Sequence, residues 1–447
     1  MTDTFVVVGG DAAGMSAASK AKRADPEMDV IVFEQGEWVS YAACGMPYFI
    51  KGDVQNITDL VAVEPETFRE ERDIDLRTGH EVVDIDPDEQ VVTVVGEDRF
   101  EQPYDDLLVA TGATAVEPPF DGMDLDGVFT LHDMDEAAAI EAYLAEQAPE
   151  TAAVVGGGYV GIEIAEALAD RDIAVHLYEM LPSVLQPFGE TVGEAVAEHL
   201  REQGVQLHLE TAVSGFAGDG AVERVHFEDE DAPADVAVVG VGVAPNVDLA
   251  ADAGVELGPT GAIATDEYGR TNLDNVFAAG DTAEMRHTVT DEPAHVPLAL
   301  TANRAGRAIG QTVAGSPTAV GPTAGTAIVK AFDLGAARTG VIDEERAREA
   351  GFDPVSVTIS APSRAHYYPD AAEVTVTLVA DGETGRLLGG SIVGREGVKR
   401  IDTVAMALHA DQTVSAVQNA DLAYAPPFSP VWDPVLTAAK VLGGKLD

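Results

Sequence analysis

The chain opens on a short apolar run, residues 5–8, which ends at Gly9 and Gly10. Small apolar residues at helical spacing follow in "DAAGMSAASKAKRADP", and a second apolar run, "MDVIVFE", closes at Glu34. Runs without polar interruption predict strands covered on both faces, so strand, glycine turn, helix and strand make a βαβ unit. The pattern returns as "ETAAVVGGGYVGIEIAEALADRDIAVHLYE", closing at Glu179. Between the two modules, "YDDLLVATGATAVEPPF" is a buried strand ended by Gly112 and a proline pair, which marks a crossover between domains. Two further apolar strands, "ADVAVVGVGVAPN" and "NVFAAGD", precede a helix in "LALTANRAGRAIGQTVAG". From about Gly325 the pattern changes to strands that alternate or run apolar, "GTAIVKAF", "VSVTISA", "EVTVTLVA" and "LLGGSIVG", with two helices near "VKRIDTVAMALHA" and "VWDPVLTAAKVLG". This predicts a separate C-terminal α+β domain.

Composition changes that picture in one respect. The 447 residues suit about three domains of ordinary size, and 46% hydrophobic with 23% charged residues is usual for a globular chain. Charge is not usual: 26 basic against 78 acidic residues leave −52. Such a chain repels phosphate backbones and anionic lipid, which excludes nucleic acid and membrane surfaces as partners. The acids are spread through loops between apolar segments, so the imbalance predicts a salt-rich cytosol in which repulsion is screened. The thermal midpoint should therefore rise as KCl goes from millimolar to molar; a scanning calorimetry series that is flat or falling would contradict this. One cysteine allows no internal disulfide and points to a reducing compartment. With no apolar run of about 18 residues and no basic-then-apolar start, the expected location is cytoplasmic.

Chemistry concentrates at the glycine turns. Gly156, Gly158 and Gly161 form a full G-x-G-x-x-G, where backbone N–H groups and a helix N-terminus can meet a pyrophosphate. Glu179 stands where an acid accepts hydrogen bonds from a ribose 2′-OH and repels a 2′-phosphate, which favours NADH over NADPH. The first turn keeps Gly9 and Gly14 but has Asp11 at the middle position, with Glu34 as its ribose acid. Asp281 ends a strand, where it suits a polyol hydroxyl, a helix N-cap before Thr282, or both. Cys44 follows in "SYAACGMPYFI". Lone cysteines are most often buried and inert. A strand-to-helix connection beside a nucleotide turn, however, is a place where a helix N-terminus stabilises a thiolate, and any disulfide Cys44 forms must be with another molecule.

Together "GGDAAGMSAA", "SYAACGMPY", "LLVATGA", "GGGYVGIEIAE", "VGVGVAPN", "VFAAGD", "GTAIVKAFD", "HYYPDA", "KRIDTVAMAL" and "YAPPFSPVWDPV" resemble the flavin-dependent pyridine nucleotide-disulfide oxidoreductases over the full length. Within them the likeness is to the single-cysteine branch of coenzyme A-disulfide reductases, NADH oxidases, NADH peroxidases and sulfur or persulfide reductases. The resemblance implies an α/β fold with two Rossmann-like dinucleotide-binding domains, for FAD and NAD, plus a C-terminal α+β dimerisation domain. The expected layout is FAD domain 1–118, NAD(P) domain 119–250, FAD domain again 251–322 and dimerisation domain 323–447, assembled as a homodimer.

By resemblance, Cys44 is the redox-active cysteine facing the flavin. Gly9, Gly14, Glu34, Thr111, Gly112 and Asp281 fall on FAD motifs. Gly156, Gly158, Gly161, Glu179 and Gly242 fall on the NAD side, with Glu163 beside the nicotinamide. Ser16, Lys20, Arg23, Ser40 and Asn303 match the thiol-substrate channel of the coenzyme A-disulfide reductases; Lys20 and Arg23 suit the phosphates of CoA, or else form a solvated helix face. Tyr424 and one of Tyr367 and Tyr368 resemble the tyrosines a partner subunit brings to the cysteine, as a general acid or as a proline-stiffened dimer contact.

Three departures narrow the choice. Ala12 replaces the histidine of the peroxidases and water-forming oxidases, which disfavours peroxide chemistry. Trp432 stands where a CoA reductase can carry lysine, and Ala43 replaces asparagine before the cysteine. The implied activity is FAD-dependent NAD(P)H:disulfide oxidoreduction with coenzyme A disulfide as the small-molecule substrate. The alternatives are an NADH oxidase cycling through a Cys44 sulfenic acid, or an NADH-dependent sulfur or persulfide reductase.

Overall fold

The computed structural model describes residues 3–228 and 230–446. Two five-stranded parallel sheets carry the glycine turns. In the first, the strands run in the order Val276–Ala278, Asp106–Val109, Thr4–Val8, Asp29–Phe33 and Asp75–Arg77. In the second the order is Gln206–His208, Ala174–Tyr178, Thr151–Val155, Val236–Val239 and Val128–Thr130. All neighbours pair in parallel. The central strands are buried on both faces, Val236–Val239 at every position, which is why they read as unbroken apolar runs. This is the doubly wound, Rossmann-like architecture expected.

The chain crosses between the modules twice, and the two crossings pair with each other: Val243–Pro245 lies antiparallel to Ala113–Ala115. Thr111 and Thr282 both donate their hydroxyls to the Asn246 carbonyl, at 2.7 and 2.8 Å, and the Asn246 amide donates back to the Thr111 carbonyl at 2.9 Å. Thr111 thus acts as a rivet at the crossover. The helix Ala12–Ala24 packs on Ala299–Val313, and small residues set how closely: a Cβ on Gly306 or Gly310 would run into the backbone of Ala13 or Ala17.

The C-terminal part is an antiparallel sheet, ordered Ala327–Ala331, Leu334–Gly340, Leu387–Gly394, Glu373–Asp381 and Pro354–Pro362. The helices Ile401–His409 and Pro434–Leu446 share its core. Around it the lone chain exposes large apolar groups, among them Tyr367, Met406, Phe428, Val431 and Trp432. No helix among the described residues is long and apolar enough to cross a membrane.

One sequence expectation is corrected by the fold. Asp281 is not a helix N-cap: after Val276–Ala278 the chain turns at Gly280 and enters no helix until Ala299. Thr282 is fully buried by its bond to Asn246, so the polar pattern that suggested a cap serves the crossover instead.

Candidate functional site

The two glycine turns are built alike, bond for bond. Gly9 and Gly156 each donate to the end of the next strand, at Phe33 and Tyr178, both at 2.8 Å. Both hold positive φ, 109° and 107°, and a Cβ on either would strike the carbonyl of the neighbouring strand's end, Ala110 or Gly240. A Cβ on Gly14 or Gly161 would strike the Gly9 or Gly156 carbonyl, so only glycine lets the helix sit against the turn. Glu34 accepts Gly10 N–H and Gly36 N–H at 2.8 Å each; Glu179 accepts Gly157 N–H at 2.7 Å and Leu181 N–H at 2.8 Å. The acids predicted to meet ribose are thereby fixed at the mouths of the turns.

The correspondence explains Asp11. Its counterpart Gly158 has open space where a Cβ would go, so the backbone tolerates a side chain there. Asp11 uses it: its carboxylate accepts Tyr41 N–H at 3.1 Å and ties the first turn to the cysteine loop. Burial, with Glu34 and Asp281 nearby, pushes the Asp11 carboxyl up to about 6, which lessens its charge beside a pyrophosphate. Neither helix N-terminus has a side-chain cap bond, which leaves its first N–H groups for an anionic ligand. The residues present therefore fit a dinucleotide in each turn.

After each acid the chain loops back to its glycine turn through a left-handed residue. Ser40 (φ 50°) donates to the Gly10 carbonyl at 3.0 Å; Leu185 (φ 47°) donates to that of Gly157 at 2.8 Å. A single 3-10 turn follows in both, Ala43–Gly45 and Gln186–Phe188. In the first copy that turn carries Cys44, which is exposed. The loop is held from the other side by Ala42 N–H to the Leu60 carbonyl and Ala62 N–H to that of Ser40, both 2.8 Å.

In the lone, cofactor-free chain the surroundings of Cys44 work against the thiolate. The helix after Cys44, Met46–Lys51, has only six residues, while crowding and the carboxylates of Glu163, Asp281 and Asp11 push the thiol above its ordinary value. Glu163 lies on the helix Tyr159–Ala169 and accepts the Tyr48 hydroxyl at 3.3 Å; burial pushes its carboxyl up to about 7. Alkylation of Cys44 by iodoacetamide in the cofactor-free protein should therefore follow a pH midpoint above that of a free thiol. Glu163→Gln removes a carboxylate that is ionised above about 7 and should lower that midpoint. An unchanged midpoint would take Glu163 out of the thiol's field.

The predicted channel residues are only partly gathered. The Ser16 hydroxyl donates to the Asn303 side-chain oxygen at 2.5 Å, joining the two packed helices. Lys20, one turn along, lines a cavity of about 490 Å3 with Arg304, Arg307, Gln311, Ser316 and Thr318. Arg23 is exposed and not part of that lining, in which Arg304 and Arg307, following Asn303 on one helix, join Lys20. The Tyr367 and Tyr424 hydroxyls lie 3.3 Å apart, both exposed, whereas Tyr368 lies under the Arg364 guanidinium at 5.7 Å. Tyr367 is thus the partner of Tyr424. His295 Nε2 donates to the Asp281 carbonyl, 2.7 Å away; like Tyr48, it was not singled out in the sequence, where Asp11 stood only as a departure from the glycine pattern. Gly112 and Gly242 both hold positive φ and flank the paired crossings.

Comparison with known proteins agrees with this construction. Residues 3–306 match the pyridine nucleotide-disulphide oxidoreductase family, and residues 326–434 match that family's dimerisation domain. The NAD(P)H coenzyme A polysulfide/persulfide reductase of Pyrococcus horikoshii is 40% identical over 99% of each chain. The coenzyme A disulfide reductase of Staphylococcus haemolyticus is 31% identical over 95% of this chain and 96% of its own. The solved NAD-dependent persulfide reductase from A. fulgidus superposes with a TM-score of 0.95 at 38% identity, covering 99% of this chain and 83% of that one. With both family models matched across the glycine-turn modules and the antiparallel C-terminal sheet, the chain belongs to the pyridine nucleotide-disulphide oxidoreductases, flavoenzymes that use FAD and NAD(P)H.

Proposed function

We propose that the chain reduces coenzyme A disulfide through a mixed disulfide on Cys44. The observation that carries this is the cation-lined cavity beside Lys20. In a chain of net charge −52, Lys20, Arg304 and Arg307 converge on one hollow next to the bonded pair Ser16 and Asn303. Such a group suits the phosphates of CoA, with arginine offering paired donors to each. The relatives named as coenzyme A disulfide reductase and coenzyme A polysulfide/persulfide reductase support the same ligand class.

The FAD that Gly9, Gly14 and Glu34 would hold would supply two-electron chemistry between NAD(P)H and sulfur. The chain's own residues do the rest. Glu34 and Glu179 orient the two riboses, and the glycine turns hold the pyrophosphates. The Cys44 thiolate attacks the disulfide R–S–S–R, its sulfur joins one half, and the other leaves as a thiolate. Tyr424 of the partner subunit, steadied by Tyr367, gives that thiolate a proton. Two electrons and a proton then cleave the Cys44–S–S–R bond, free the second R–SH and restore Cys44. NAD(P)H plus one proton thus yields two thiols.

Tyr424→Phe should lower steady-state turnover with CoA disulfide by roughly 10²-fold or more while flavin reduction by NADH stays unchanged. Equal loss in both half-reactions would remove the tyrosine from the acid role. The test of the whole reading is an anaerobic panel of CoA disulfide, γ-glutamylcysteine disulfide, polysulfide and oxygen. CoA disulfide should give the highest kcat/KM, and Arg307→Ala should raise its KM alone. Trp432, exposed where a lysine would assist CoA, favours a second reading, a persulfide reductase. Preference for polysulfide over CoA disulfide in the panel would select it.

A further inference from the structure

The helix that bears the thiol turn and the helix that bears Glu163 meet in parallel register. Tyr48 and Lys51 are one turn apart on Met46–Lys51, and Glu163 and Glu166 are one turn apart on Tyr159–Ala169. Tyr48 bonds Glu163 at 3.3 Å, and Lys51 bonds Glu166 at 2.7 Å. The second rung does more than close a ladder. Glu166 is 4% exposed, and its carboxylate is fully engaged. Oε1 takes the ammonium of Lys51 and that of Lys330 at 2.5 Å, while Oε2 takes Phe332 N–H at 2.7 Å. Lys330 also bonds the Phe332 carbonyl at 2.9 Å.

Lys330 and Phe332 belong to the hairpin joining Ala327–Ala331 to Leu334–Gly340, at the edge of the dimerisation sheet. Phe332 sits there at φ 53°, a strained setting for a bulky residue. A second grip lies beside it: Asp333 at the same tip pairs with His199 at 2.9 Å and Arg395 at 3.1 Å. Lys51 has further partners in Asp170 at 2.8 Å and Asp53 at 3.6 Å. A buried ion pair is weak evidence for stability, because desolvation offsets its attraction; its best-attested use is to fix register.

We propose that Glu166 is a positioning residue that sets the spacing between the Cys44 helix and the nicotinamide-side helix and locks both to the tip of the dimerisation hairpin. Hydride transfer is steep in distance and angle, so loosening this clasp slows the reductive half-reaction without touching either nucleotide turn.

The test uses the FAD-loaded dimer. In anaerobic stopped flow, Glu166→Gln should slow flavin reduction by NADH roughly tenfold or more, with the Kd for NADH within about twofold of the parent. Lys51→Met should do the same and Lys51→Arg should restore it. Backbone hydrogen exchange in residues 46–51 should speed up in the Glu166→Gln and Lys51→Met apoproteins as well. Should Glu166→Gln fail to load FAD, Lys51→Met and Lys330→Met decide. Both should slow reduction, and their effects should combine less than additively because both act through one carboxylate. Reduction within about twofold of the parent in both, with unchanged exchange, would overturn the proposal whatever the thermal midpoint does. Flavin reduction by NADH does not pass through Cys44, so failure here leaves the disulfide reading standing, and failure of that reading leaves this one.

Discussion

Cys44→Ser abolishes disulfide turnover, by roughly 10³-fold or more, and leaves the first reduction of the bound flavin by NADH within about twofold of the parent. The expectation follows from chain composition as much as from position. Only one cysteine exists, so no second sulfur can take over the attack on an incoming disulfide. A serine hydroxyl fits the same turn, Ala43–Gly45, but forms no bond that two electrons from a flavin can reopen. The NAD side is untouched, because Glu179, Gly156 and Gly161 draw their contacts from another sheet. Rapid mixing with NADH alone, then with CoA disulfide, separates the two outcomes. Substantial disulfide turnover by the serine variant would end the mixed-disulfide scheme.

Gly14→Val has an effect of comparable size by a different route. The new side chain would meet the Gly9 carbonyl and Val7, and no rotamer avoids a Cβ clash. The helix Ala12–Ala24 must shift, and with it the Ala299–Val313 helix whose Gly306 and Gly310 admit no slack. We expect a cost of about 3 kcal/mol or more, the upper end for overpacking, and protein that emerges without bound flavin. Gly158→Ala is the control. Its Cβ meets no protein atom, and the first turn carries Asp11 at the same position, so stability should hold and NADH should still bind. Absorbance ratios and thermal melts read both variants.

Both glycine modules, their ribose acids and the antiparallel C-terminal sheet were legible in the chain because buried parallel strands and tight turns leave strong local signals. The small sheets Glu81–Pro103 and Val213–Pro233 were not, since their strands are half exposed and carry acids, as in Arg99–Pro103. Leu334–Gly340 was missed for the opposite reason: alanine and glycine, buried by tertiary packing, carry no strand signature. At the site, Glu34, Glu179, Ser16 and Asn303 were singled out from the sequence, while Arg304 and Arg307, on the same helix as Asn303, were not. In the lone chain burial raises the Cys44 thiol, and Glu163, Asp281 and Asp11, from three distant segments, add to it. Local sequence shows a helix start; only the fold shows the carboxylates around it.

The twin loops that follow Glu34 and Glu179 carry one more implication. The second ends by driving Phe188 fully into the interior, a ring that serves as its anchor. The first leaves Cys44 exposed at its tip and buries Met46, two residues on, in the core. One copy of the fitting ends in a buried ring and the other ends open at the sulfur, its loop tied down by Asp11, Leu60 and the neighbouring helix. Wear on those supports would blunt the sulfur before it loosened the fold.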